Sequence, residues 1–92
     1  DAEEAYRIGL VNKVVPAEKL MEEAEAMLKT ILAMGPRAVA LAIEAVDHGM
    51  DLTLDEGLLM EANHFGLLAS TEDMKEGMAA FLEKRQANFK GK

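Results

Sequence analysis

Apolar residues recur along most of this chain at the three- and four-residue spacing of helices, broken by short polar or glycine-containing steps. Residues 17–34 carry one stripe, Leu20, Ala24, Met27, Leu28 and Ile31, with Glu22, Glu23, Glu25 and Lys29 elsewhere. Glu25 and Lys29 are spaced as a helical ion pair, contributing roughly 0.2–0.5 kcal/mol. Gly35 and Pro36 end this helix, and Pro36 suits the first turn of the next, over residues 36–48. Its buried side is Ala38, Val39, Ala42, Ile43 and Val46, with Gly49 as the stop.

Thr53 and Glu56 then form a capping box, each side chain able to satisfy a free N–H at the helix start. The helix behind it runs to about Ala69. Leu54, Leu58, Leu59, Ala62, Phe65, Leu68 and Ala69 wrap more than one face, so this helix is expected to be sandwiched. Gly57 and Gly66 each cost roughly 1 kcal/mol relative to alanine, and close approach of another backbone is the expected compensation. The last helix opens on Ser70 or Thr71 as cap, with Glu72 and Asp73 at its positive end. Met74, Met78, Phe81 and Arg85 follow on one face. The first residues differ. Asp1 caps a short helix over residues 1–8 that Gly9 stops. In residues 10–15, Val11, Val14 and Val15 favour an extended segment, and Pro16 reinforces it. A lone strand needs a partner from upstream or from another chain. The reading is a mainly α chain of about five helices with one short extended segment. Nearly every residue from Ala17 onward is expected to be helical.

Composition bounds the rest. Ninety-two residues bury only about 60% of their unfolded surface. Half the residues are hydrophobic, aromatics are 4%, and Met occurs seven times. The core is therefore apolar but loosely specified. With no Cys there is no disulfide framework and no thiolate metal site. A net charge of −7 opposes general nucleic-acid binding. No run of eighteen apolar residues exists, so a membrane partner is not expected, and a cytoplasmic location is the default.

Candidate chemistry is sparse. Glu61 and His64, three apart on one helix, are spaced to share a proton, or to form an ordinary surface or interfacial hydrogen bond. His48 sits at a helix end that favours a cation. Neither histidine has metal-ligand spacing. Paired acids such as Glu22 and Glu23, or Asp55 and Glu56, read as a solvated face and a cap. No catalytic constellation and no metal site is expected. The basic cluster Lys84, Arg85, Lys90 and Lys92, four of the ten cations, is the one feature that invites an anion.

Two segments carry a resemblance. Residues 70–90, STEDMKEGMAAFLEKRQANFK, resemble the C-terminal signature of the enoyl-CoA hydratase (crotonase) family. There, an acidic turn leads into a Glu-Gly-Met-x-Ala-Phe helix and a Glu-Lys-Arg run. Residues 2–24, AEEAYRIGLVNKVVPAEKLMEEA, resemble the family's Ala-x-x-Ala-x-x-x-Gly-Leu-Val-x-x-Val-Val-Pro segment. The whole chain is covered, and the likeness is greatest to short-chain bacterial hydratases (3-hydroxybutyryl-CoA dehydratases).

The resemblance implies a C-terminal part of a longer enzyme. Residues 1–15 would end an upstream core domain, and residues 16–92 would form a helical oligomerisation domain. The parent would add water reversibly across a 2-enoyl-CoA double bond, using two backbone N–H groups and two glutamates that lie upstream of Asp1. These 92 residues alone are then expected to be inactive. Coenzyme A would enter only as part of the substrate, with no separate cofactor. The family further implies a trimer or hexamer. It also implies that Phe65 lies against the adenine and that Lys84 reaches the phosphate-bearing end of the nucleotide. An aromatic face suits a base, and an ammonium suits a phosphate. From the residues alone, Phe65 reads as core and Lys84 as a solvated cation. The alternative function is a free-standing helical self-association module without ligand.

Overall fold

The computed structural model describes residues 1–92 and contains five α-helices and no β-strand. They are α1 (Ala2–Arg7), α2 (Leu20–Leu32), α3 (Pro36–Gly49), α4 (Leu54–Ala69) and α5 (Glu72–Glu83). The chain divides into two compact units, Asp1–Thr30 and Ile31–Lys92.

In the first unit, the Asp1 carboxylate accepts from the Glu4 amide at 2.8 Å and starts α1. Gly9 ends it at φ +76°, a conformation L side chains rarely adopt. Arg7 forks onto Glu4 at 2.6 and 2.7 Å, which holds the Glu4 carboxyl below its ordinary range. Residues 10–15 form neither helix nor ladder. The expected long helix begins as a single 3-10 turn (Ala17–Lys19) and becomes α-helical only at Leu20. The Glu25–Lys29 pair is present at 3.8 Å, both side chains well exposed.

In the second unit, Pro36 occupies the first turn of α3, as its fixed φ favours. The Thr53–Glu56 capping box is complete: Glu56 accepts from the Thr53 hydroxyl at 2.7 Å and amide at 3.0 Å. Those bonds lower the Glu56 pKa, the hydroxyl contributing most. Helix α3 packs along α4, and α4 meets α5 over a smaller area. Only Gly35, Thr71, Asp73 and Ala80 are buried. Two of those four are polar, so the enclosed centre is a hydrogen-bonded turn rather than an apolar core.

Two expectations are corrected here, and one open alternative, the cap of α5, resolves to Thr71. Residues 85–92 are not helical: α5 stops at Glu83, so Arg85 is not on its apolar face. Ser70 closes α4, and Thr71 alone caps α5, its hydroxyl accepting from the Met74 amide at 3.1 Å. Nothing lies within 4 Å of a Cβ placed on Gly57 or Gly66, so no backbone approaches either position within this chain.

Candidate functional site

Phe65 sits three-quarters of the way along α4 and is 62% exposed. It lines an open apolar cavity of about 310 Å³ between α3 and α4. The α3 wall there includes Ala38, Ala42 and Ala45, whose methyl groups are too short to cover the ring. Leu41 and Val46 complete that wall, and the Phe65 ring stays largely open.

His64 also lines this cavity. Its Nε2 lies 3.7 Å from a Glu44 carboxylate oxygen on α3, and its Nδ1 is buried without a partner. The histidine therefore faces across to the neighbouring helix. The expected pairing with Glu61 does not form, although Glu61 lines the same cavity.

Lys84 is the C-cap of α5, in the left-handed conformation with φ 53° and ψ 41°. For an L side chain this costs about 1–2 kcal/mol. The turn is closed by backbone bonds, Lys84 N–H to the Phe81 carbonyl at 3.3 Å and Arg85 N–H to the Ala80 carbonyl at 3.0 Å. The chain then folds back along α5. Glu76 holds the Arg85 guanidinium through both oxygens, at 2.6 and 2.9 Å, and accepts from the Asn88 amide at 2.8 Å. Arg85 also donates to Glu83 at 2.5 Å. Asp73, 7% exposed, accepts from the Lys90 and Gly91 amides at 2.7 and 2.8 Å, while its own amide donates to the Lys92 carbonyl at 3.1 Å. The Phe89 ring packs where a Cβ on Gly77 would come within 3.4 Å, and Arg37 at the start of α3 donates to the Gly91 carbonyl.

These bonds sort the four expected cations. Arg85 is neutralised by two carboxylates, whereas the ammonium groups of Lys84, Lys90 and Lys92 make no ion pair and are exposed. The guanidinium and the Asn88 amide together press the Glu76 pKa from 4.5 down to about 2, the guanidinium contributing most. Glu76 and Glu83 raise the Arg85 pKa in turn.

Phe65 and Lys84 lie on different helices and line no common cavity. Phe81, 83% exposed, lies three residues before Lys84, and its carbonyl accepts the Lys84 amide. The helical spacing puts Phe81 on one apolar face of α5 with Met74 and Met78, and it gives no sign of Asp73 and Glu76 as anchors of the tail. The one available signal was the density of carboxylates on α5 ahead of a basic run.

Residues 1–92 match the family model described as "Enoyl-CoA hydratase/isomerase". The chain is 51% identical over 89 residues to the crotonyl-CoA hydratase of Syntrophomonas wolfei, covering 97% of this chain and 34% of that protein. It is 46% identical over 85 residues to the short-chain-enoyl-CoA hydratase of Clostridium acetobutylicum, covering 92% and 33%. Among solved structures, an enoyl-CoA hydratase from Bacillus anthracis superposes with a TM-score of 0.95 at 42% identity, over 99% of this chain and 35% of that one. One from Geobacillus kaustophilus superposes with a TM-score of 0.93 at 47% identity, over 100% and 36%. This chain thus spans about a third of the length of the relatives it matches. With a match to the family model along the whole of this chain and close superposition on solved members, the chain belongs to the enoyl-CoA hydratase/isomerase family.

Proposed function

We propose that this chain is the C-terminal helical portion of an enzyme that reversibly hydrates short-chain 2-enoyl-CoA thioesters. Its contribution is subunit contact and one wall of the coenzyme A site. Residues 1–15 belong to the preceding core domain in this reading, and residues 16–92 form the oligomerisation domain. The hydratases it resembles, and the exposed aromatic and unpaired ammonium on its surface, support the reading. Coenzyme A arrives as part of the substrate. Its adenine would stack on Phe65, and Lys84 would meet the phosphate-bearing end as a point charge. The proton-handling glutamates and the two N–H donors for the thioester enolate would come from the rest of the enzyme.

The observation that carries the assembly is the apolar surface of α4. Leu54, Leu58, Leu59 and Phe65 are all more than half exposed. Covering each contributes roughly 1.5–3 kcal/mol. A trimer, or a hexamer of two trimers, covers equivalent patches on every copy.

Two measurements test the reading. Titration of coenzyme A into the whole enzyme should weaken with Phe65→Ala and with Lys84→Ala. Unchanged affinity in both would remove the assigned contacts. The isolated 92 residues should not hydrate crotonyl-CoA above the buffer rate. Turnover that survives repurification would place the active site within this chain, and coenzyme A binding to neither form would favour a self-association module.

A further inference from the structure

The only non-glycine residue with positive φ in this chain is Lys84, an exposed cation without an ion pair, next to the doubly paired Arg85. That coincidence needs an explanation, because a lysine has no intrinsic preference for the left-handed region. Two backbone bonds close the turn, but the residue following Lys84 is held by something more specific. The Arg85 guanidinium is forked onto Glu76 from the preceding turns of α5, and the same carboxylate takes the Asn88 amide three residues further on. The chain is thus gripped immediately after the bend and again beyond it. Glu83, before the bend, engages Arg85 as well.

We propose that Glu76 is a positioning residue for Lys84: by fixing Arg85 and Asn88 it sets the left-handed bend and keeps the neighbouring guanidinium from competing for the anion. This rests on the reading above, in which Lys84 meets the phosphate-bearing end of coenzyme A. The fork geometry explains why position 85 carries arginine, since a lysine cannot make two parallel bonds to one carboxylate. Glu76 stays ionised at every pH at which the enzyme would be assayed, so the arrangement is constant there.

The test uses the whole enzyme and calorimetric titration with two probes, coenzyme A and a crotonyl-pantetheine thioester that lacks the nucleotide. Glu76→Gln should weaken coenzyme A binding about three- to tenfold, in the lower part of the range of a contact-pair coupling. It should leave the pantetheine thioester unaffected. Lys84→Gly, which keeps the bend and removes the charge, should weaken coenzyme A alone. In that background, Glu76→Gln should add nothing. A structural role for Glu76 would instead weaken both probes, or add its full loss to Lys84→Gly, and either result overturns the proposal. Loss with Lys84→Gly but none with Glu76→Gln overturns the positioning role alone. No loss with Lys84→Gly overturns the reading of Lys84 and this proposal with it. If Glu76→Gln does not fold, Arg85→Lys removes the fork while keeping the charge, and the same outcomes decide.

Discussion

The α3–α4 pair and the α5–tail region are built on opposite terms. The first consists of two regular helices with a complete capping box and a proline at its helix start, yet most of its large apolar side chains are exposed. The second has irregular backbone after Glu83, and it contains most of the buried residues. The difference teaches that local regularity and local closure are separate properties. Helices α3 and α4 satisfy their backbones internally and leave most of their large apolar side chains uncovered within this chain. Residues 85–92 satisfy little internally and are closed by Asp73, Glu76 and Arg37 from within it.

The strongest way to break this contrast is to place a charge on the open surface of α4. Leu59→Asp should abolish self-association of the enzyme, because an unpaired charge buried between subunits costs several kcal/mol. Sedimentation equilibrium at micromolar concentration would read the loss. An assembly indifferent to the substitution would mean that α4 is covered by something other than a second copy.

Next comes the tail anchor. Asp73→Ala strands two amides at a nearly buried site and should destabilise the region by about 1–3 kcal/mol. Hydrogen exchange should show faster exchange at Lys90 and Gly91 while the α3–α4 amides keep their protection. Uniform loss across the chain would show that the two regions unfold together.

The two threonine caps sharpen the comparison further. Thr71 is 6% exposed and its hydroxyl both accepts from Met74 and donates to the Leu68 carbonyl, whereas the Thr53 cap is open to water. Thr71→Ala should cost about 1–2 kcal/mol and Thr53→Ala less, by thermal denaturation. Equal losses would contradict the burial contrast.

The smallest expected effect is acid release of the tail. The folded pKa of Glu76, about 2, lies below its ordinary 4.5. Protons therefore favour the released state. The stabilisation is whole above pH 4.5 and is lost as pH falls through about 2. Proteolysis or exchange at residues 85–92 should accelerate over that window, and Glu76→Gln should remove the dependence. A wild-type profile that is flat from pH 5 to 2 would show that the Glu76–Arg85 pair does not hold the tail.

Much of the architecture was legible because its causes are local. The cap at Asp1, the break at Gly9, Pro36 starting α3, the capping box at Thr53 and the Glu25–Lys29 pair depend on neighbours three or four residues away. The family was legible too, in residues 2–24 and 70–90, because those motifs survive as contiguous runs. Arg85 shows the limit. Its spacing from Met74, Met78 and Phe81 continues a helical face, but the backbone leaves the helix one residue earlier. Glu76 and Arg85 are nine residues apart, and Asp73 and Gly91 eighteen, far beyond the three- or four-residue reach of side chains along one helix. Only a chain that has already turned back at Lys84 brings those groups within hydrogen-bond reach. Likewise, the pattern of α4 required a covered surface but carried nothing about what covers it. Periodicity reports which side of a helix avoids water, and tertiary structure alone decides what lies against it.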